Sequence, residues 1–261
     1  MIQRFTRQTA LKEKIRSGKP TLGLFIKIPS PQVVELTAAA EFDFIVFDAE
    51  HAPFGIARLD QCLLAARAVD IPALVRVPDA NSSLILSVLD LGAAGVIVPH
   101  IRSAKEAAVA VDATRYRNGT RGFAASHRAA GYGSISPDTY RELSDRATII
   151  IGQVEDAEAV ENIEEIVSVA AIDALFIGCA DLSISYDTET FNDPRIDQAV
   201  EKICSSGRKT GKTLGIFLPS NEQLKKFRAK GISLYFISSD QALLTRAACE
   251  LSTAFKSAVY L

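Results

Sequence analysis

Two carboxylates and an imidazole follow an apolar run in the stretch Phe44-Ile45-Val46-Phe47-Asp48-Ala49-Glu50-His51-Ala52-Pro53. A carboxylate three residues before a histidine can hold its ring in one tautomer and raise its basicity, which suits proton transfer near neutral pH. The same residues would equally make a solvated loop histidine beside exposed acids. Other polar residues at the ends of apolar runs sharpen the choice. Arg76 closes Ala73-Leu74-Val75, and a guanidinium there suits bidentate recognition of a carboxylate or oxyanion. An internal salt bridge to one of the acids is its other use, and the two are compatible. Gln153 and Glu155 end the run Ile149-Ile150-Ile151, and Asp181 follows Leu175-Phe176-Ile177-Gly178-Cys179-Ala180. Glu155 and Asp181 offer hard oxygen ligands, which Mg²⁺ or Mn²⁺ prefer, often with one or two carboxylates and the rest water or substrate. Each could instead simply cap the helix that follows it.

These residues are far apart in the chain, so some regular framework has to collect them. Short apolar runs at 22–28, 44–48, 72–78, 95–99, 147–155, 174–178, 213–218 and 234–238 read as eight strands. Helical patterns alternate with them, at 8–17, 31–41, 56–69, 82–91, after Ser103, 157–170, 194–210, 221–229 and 241–257. Ser30-Pro31, Asn81 and Ser103 are helix starts, and Gly18-Lys19-Pro20 is a helix stop. The stretch 115–136 breaks the rhythm with Arg115, Arg117, Arg121, Arg128 and several glycines, and Pro137 starts a short helix after it. Eight strand–helix repeats without a low-complexity linker predict a single (β/α)8 barrel spanning 1–261; an open doubly wound sheet is the alternative. In a barrel, the C-terminal strand ends form one mouth. Asp48, Glu50, His51, Arg76, Gln153, Glu155 and Asp181 would meet there, with Phe176 and Leu218 as pocket lining. The main-chain N–H groups of Ala180 and Asp181 could then take a ligand carboxylate. His100, just after the fourth strand, and His127, in the basic stretch, are lesser candidates: His100 could line the mouth or be packed or solvated, and the plainer use of the His127 stretch is a solvated surface crossing. Phe25 and Phe176 serve as barrel packing or pocket wall.

The composition narrows the class. With 29 basic and 31 acidic residues the net charge is −2, which argues against nucleic acid or an anionic membrane as the main partner. Nearly half the residues (48%) are hydrophobic, enough for a large core. Cys62, Cys179, Cys204 and Cys249 form no CxxC pair, as expected of free thiols in a reducing compartment rather than a disulfide frame or zinc site. No run has the length of a signal peptide or a membrane span, so a cytoplasmic protein is expected.

Taken in order, the stretch 47–53, Val75-Arg76-Val77-Pro78, Gln153-Val154-Glu155 and Gly178-Cys179-Ala180-Asp181-Leu182-Ser183 resemble the HpcH/HpaI aldolase family, from about residue 22 to 240. The resemblance implies a (β/α)8 barrel that assembles as a homo-oligomer, a hexamer or trimer of dimers, with the C-terminal helix exchanged between subunits. It implies a class II aldolase that uses Mg²⁺, Mn²⁺ or Co²⁺. Such an enzyme cleaves or forms a 4-hydroxy-2-oxo or 2-oxo-3-deoxy acid, with pyruvate and an aldehyde as the other side, through a pyruvate enolate. Carried over residue by residue, Glu155 and Asp181 would hold the metal and Arg76 would contact the pyruvate oxygen. Asp48 and His51 would form the acid–base dyad, Gln153 would orient water or substrate, and Glu50 would support these groups from behind. Phe25 stands where many members have Trp, Ala49 where Gly is common, and Cys179 where Pro is usual before Ala-Asp-Leu; the first alters the pocket wall, and the last, at the carboxylate-binding turn, bears on substrate identity more than on reaction class.

Three rival readings remain at this stage. Lys27 stands at the end of the first strand and could serve a Schiff-base aldolase, which needs a desolvated lysine. A related carbon–carbon lyase or decarboxylase acting on an acyl-CoA or β-keto acid would use similar residues. A non-catalytic metabolite-binding barrel is the third.

Overall fold

The strand runs carry their large apolar residues on both faces, as strands buried on both sides must. In the computed structural model, which describes residues 2–188, 190 and 193–260, they form β1 (Thr21–Ile26), β2 (Phe44–Asp48), β3 (Ala73–Arg76), β4 (Gly95–Val98), β5 (Ile149–Val154), β6 (Ala174–Ile177), β7 (Thr213–Leu218) and β8 (Leu234–Ser239). Every neighbouring pair is parallel, and the order β1 to β8 closes into a barrel. Closure lies in the pairing of β1 with β8, Thr21 against Leu234 and Leu22 against Tyr235, so the open sheet is excluded.

Alternation along each strand sorts the side chains into two cores. Phe25, Phe44, Val46, Leu74, Ile97, Ile149, Ile151, Phe176 and Phe236 fill the barrel interior. Ile26, Ile45, Phe47, Val75, Val96, Val98, Ile150, Leu175 and Ile216 face outward against the helices. Gly23 is required by this filling: a Cβ there would stand 2.3 Å from the Phe44 ring.

The helices are α1 (Ile2–Arg16), α2 (Pro31–Ala38), α3 (Ile56–Ala68), α4 (Ser82–Leu91), α5 (Ala104–Thr114), α6 (Pro137–Ala147), α7 (Ala157–Glu161), α8 (Ile163–Ser168), α9 (Cys179–Ser185), α10 (Pro194–Thr210), α11 (Leu224–Ala229) and α12 (Asp240–Tyr260). Asn81 and Ser103 cap as expected, accepting from the N–H of Ser83 and Glu106. Ser30 does not; its hydroxyl bonds Gln32 instead. The expected helix at 157–170 is two pieces, α7 and α8, joined at Asn162. The first helix starts earlier than its pattern predicts, because Phe5 is buried against Tyr140 and Ala147 of α6.

The basic stretch after α5 is only partly solvated, with Arg117, Asn118 and 122–124 exposed. Arg121 is buried, bonds Asp90 at 2.7 Å and lies 4.4 Å over the Tyr116 ring. His127, expected as a solvated residue, is mostly buried beside Asp90 and the Tyr140 ring. Its Nδ1 accepts the N–H of Ala130, so it serves a local turn.

The helix α12 leaves the barrel almost bare. Leu244, Leu251, Phe255 and Val259 are all more than half exposed. The outermost residues of the sequence, Met1 and Leu261, lie outside the described residues. No helix among the described residues is long and apolar enough to cross a membrane.

Candidate active site

The register of β2 against β3 sets Asp48 beside Arg76. Both point inward, two residues beyond Val46 and Leu74, which belong to the interior core. The guanidinium forks onto the carboxylate, Nε to Oδ1 at 2.9 Å and Nη2 to Oδ2 at 2.7 Å. Asp48 also accepts the main-chain N–H of His51 at 3.1 Å, and Lys27 Nζ lies 3.2 Å from its Oδ2. Burial pushes the Asp48 carboxyl up, but the Arg76 fork and charge, the His51 N–H and the nearby Lys27 outweigh it and hold the group below the usual carboxylate range. Arg76 stacks 4.9 Å over the Phe25 ring, which fixes the plane of its fork.

His51 does not take the place the Asp-x-x-His spacing predicts. Asp48 meets its main chain, and the ring turns toward Glu50, with Nε2 3.7 Å from Oε2. The physical reason is competition. Two cations and a backbone donor already occupy the Asp48 oxygens, so the half-exposed ring is left at the rim. Glu50 is in turn closer to the chemistry than a supporting role implies. Its Oε2 lies 3.2 Å from Arg76 Nε and accepts no hydrogen bond. Burial, opposed by Arg76 and reinforced by the charges of Glu155 and Asp48, pushes Glu50 up to about 7.

From the other side of the mouth, β5 delivers Gln153 and Glu155, both almost fully buried. Glu155 Oε1 accepts the N–H of His100 at 2.9 Å, and Oε2 accepts from Gln153 Nε2. Gly178 makes this possible, since a Cβ there would stand 2.8 Å from Glu155 Oε2. Burial pushes the Glu155 carboxyl up against the bonds from His100 and Gln153, and the charge of Asp181 adds to the shift. His100 has φ at +54°, and its Nδ1 lies 3.1 Å from Asp156 Oδ2. Ligand atoms of Glu50, His100 and Glu155 lie within 4.8 Å of one another. Asp181 sits half-buried in the first turn of α9.

A cavity of about 310 Å³ opens at this mouth, with Phe25, Lys27, His51, Arg76, Gln153, Phe176, Ala180, Asp181 and Phe217 among its walls. Leu218 is a correction. It belongs to the core between sheet and helices, and Phe217 lines the cavity instead. The period of two along β7 carries the reason: Leu214, Ile216 and Leu218 share the outer face, so the intervening Phe217 turns inward.

The donor set fits a hard divalent cation. Two carboxylates and an imidazole, Glu50, Glu155 and His100, converge where burial already raises both acids, Asp181 lies in the nearby cavity wall, and Gln153 Oε1 is buried without a hydrogen-bond partner. Lys27 stands in an ion pair with Asp48 rather than in the apolar pocket that a Schiff-base lysine needs.

The family model for HpcH/HpaI aldolase/citrate lyase matches residues 21–247. A 5-keto-4-deoxy-D-glucarate aldolase of Klebsiella pneumoniae is 30% identical over 247 residues, covering 94% of this chain and 96% of its own. A 4-hydroxy-2-oxo-heptane-1,7-dioate aldolase of the same organism is 32% identical over 249 residues, covering 94% and 93%. Among solved structures, an HpcH/HpaI aldolase/citrate lyase family protein of Burkholderia cenocepacia superposes with a TM-score of 0.90 at 30% identity, covering 95% of this chain and 99% of that one. With a family model spanning the whole barrel and relatives of this identity over nearly the full length, the chain belongs to the HpcH/HpaI aldolase/citrate lyase family.

Proposed function

We propose that this protein is a class II aldolase that interconverts a 4-hydroxy-2-oxo acid with pyruvate and an aldehyde. The observation that carries the reading is the Arg76–Asp48 fork beside Glu50, whose ligand atoms cluster with those of Glu155 and His100, at a cavity that Arg76, Gln153 and Asp181 line. Glu155 and Asp181 would hold Mg²⁺, Mn²⁺ or Co²⁺, with Glu50 and His100 near enough to contribute. Bound there, the cation would supply Lewis-acid polarisation of the 2-oxo acid. Asp48 occupies Nε and Nη2 of Arg76, which leaves Nη1 to donate to the keto oxygen as negative charge grows on it. The Phe25 and Phe176 rings wall this end of the cavity and limit water.

In the cleavage direction the C4 hydroxyl loses its proton, the C3–C4 bond breaks, and its electron pair passes into the pyruvate enolate. A proton then returns to C3. His51 is the group that takes the hydroxyl proton, since its ring is free at the cavity rim and faces Glu50 rather than Asp48. Gln153, whose Oε1 has no hydrogen-bond partner, orients the substrate or its water, and Ala180 lines the same cavity.

The test is a panel of 2-oxo-3-deoxy acids assayed for pyruvate release with each of Mg²⁺, Mn²⁺ and Co²⁺. Release that stops on chelation and returns with metal is expected, and no pyruvate from any member would overturn the reading. His51→Ala is expected to slow cleavage by about 10²-fold, the low end for a positioned acid–base group, because the ring is half exposed. Mn²⁺ affinity should persist in this variant. Full aldol activity in His51→Ala would assign the proton to another group.

The bare apolar face of α12 supports assembly into a homo-oligomer by this helix. Covering Leu244, Leu251, Phe255 and Val259 would contribute about 1.5–3 kcal/mol for each side chain fully buried. Light scattering at micromolar concentration should show an oligomer, and Leu251→Glu combined with Phe255→Glu should dissociate it. A monomeric parent protein would refute the assembly.

A further inference from the structure

A second cavity, of about 550 Å³, opens at the end of the barrel opposite the active site. Ile71, Pro72 and Ala73 form part of its wall, so it lies where β3 begins. Arg76 stands at the other end of that strand, roughly 10 Å away.

The cavity gathers cations. Arg4, Arg7 and Gln8 reach it from α1, where a spacing of three and four residues puts them on one face, and Arg67 reaches it from the last turn of α3. Arg7 is already paired, with Nη2 2.9 Å from Oδ2 of Asp70, the carboxylate in the same wall. Arg4 and Arg67 have no acid partner among the described residues. Asp90, the acid on α4, is taken up by Arg121 and His127. Arg4 donates from Nη2 to the carbonyl of Ala129 and stacks over the Phe5 ring, while its Nε is buried without a partner. Gly92, with φ at +107°, leaves room for its Nη1; a Cβ there would stand 2.9 Å away. Burial pulls the Arg4 guanidinium below its usual range; Tyr140 opposes this, and the charges of Arg67 and Arg121 add to it. The C-terminal ends of α3 and α4 face the same region with about half a negative charge each, which offsets only part of the two guanidiniums.

Gln8 is the sharper sign. It is 5% exposed and lines the cavity, yet its amide makes no hydrogen bond among the described residues. A buried amide is costly unless something meets its donors and acceptor, and only the cavity is open to it.

We propose that this cavity binds a small organic anion, with a phosphate or carboxylate group held by Arg4, Arg67 and the Gln8 amide and an apolar body lying on Leu63, Ala66 and Ile71. Guanidiniums match the geometry of either oxyanion, and a few polar groups set into an apolar wall are the usual make-up of a small-molecule site.

The experiment is titration calorimetry of the parent protein with inorganic phosphate and, separately, with malonate, at an ionic strength held constant with NaCl. At least one should bind with a Kd in the millimolar range or tighter, and the tighter of the two tells phosphate from carboxylate recognition. Arg67→Gln should weaken that binding by about 10- to 100-fold, as expected for one charge-assisted hydrogen bond. Arg67 is exposed, so the fold should not suffer. Gln8→Leu should weaken binding by about 3- to 10-fold and leave the Tm of the anion-free protein unchanged or higher, because the amide has no partner to lose. A lower Tm with unchanged affinity would assign Gln8 to the fold and overturn the inference. Unchanged affinity in Arg67→Gln would place the anion elsewhere, the Arg76 mouth included, and overturn it too, as would a parent protein that binds neither anion.

Discussion

Replacing Arg76 by alanine should lower kcat by about 10²–10³-fold rather than only raise KM. A residue that anchors substrate and transition state equally changes KM alone. Arg76 stands where the keto oxygen would gain charge, so its contribution should grow along the reaction, as that of an oxyanion donor does. The same substitution should also destabilise the fold. Asp48 is fully buried, and without the fork it keeps only Lys27 and one backbone N–H. Breaking a buried pair costs about 3–5 kcal/mol, and the remaining lysine places this case at the lower end. At about 2–4 °C per kcal/mol for a chain of this size, Tm should fall by roughly 6–12 °C. Arg76→Lys separates the two effects. A lysine keeps the charge beside Asp48 and should recover most of the stability, but it cannot reproduce the planar fork and should leave kcat low. Steady-state kinetics and thermal unfolding on both variants decide the matter. A pure KM effect would return Arg76 to the role of a passive anchor.

Glu155→Gln should abolish metal-dependent turnover, with a loss of about 10³-fold or more, because the cation supplies several kcal/mol of charge stabilisation. The isosteric amide can still accept the His100 N–H through its oxygen, so the fold should survive. The amide nitrogen, however, faces Gln153 Nε2 as donor against donor. Asp181→Asn should weaken Mn²⁺ binding as well, less severely, since Asp181 is half-buried and the ligand atoms of Glu50, His100 and Glu155 cluster without it. Titration calorimetry with Mn²⁺ and turnover measured in parallel should fall together. Unchanged binding in both variants would remove these residues as ligands.

Much of this site could be read before the fold was in view. Asp48, Arg76, Gln153, Glu155 and Asp181 each follow an apolar run, and the rule that a barrel gathers its strand ends at one mouth brought them together. The structure places them around one cavity or in contact with its walls. Leu218 failed by one residue. A run such as Thr213-Leu214-Gly215-Ile216-Phe217-Leu218 is apolar on both faces, so its pattern does not say which face is inside. Burial of Leu214 and Ile216 against the helices settles it in favour of Phe217.

The sequence alone determined the strand–helix rhythm, the closed barrel it favours, the family and the residue types at the mouth, because these depend on local periodicity and on chain order. Only the tertiary structure decided who pairs with whom. Asp48 lies three residues from His51 yet spends its oxygens on Arg76, 28 positions away, because β2 and β3 lie side by side in register and a guanidinium fork outcompetes a ring at the rim. For the same reason Lys27 gained Asp48 as a neighbour and Asp240 as its tether, and His100 joined Glu155. Spacing along a chain sets which contacts are within reach; competition for buried hydrogen bonds between strands selects the ones that form.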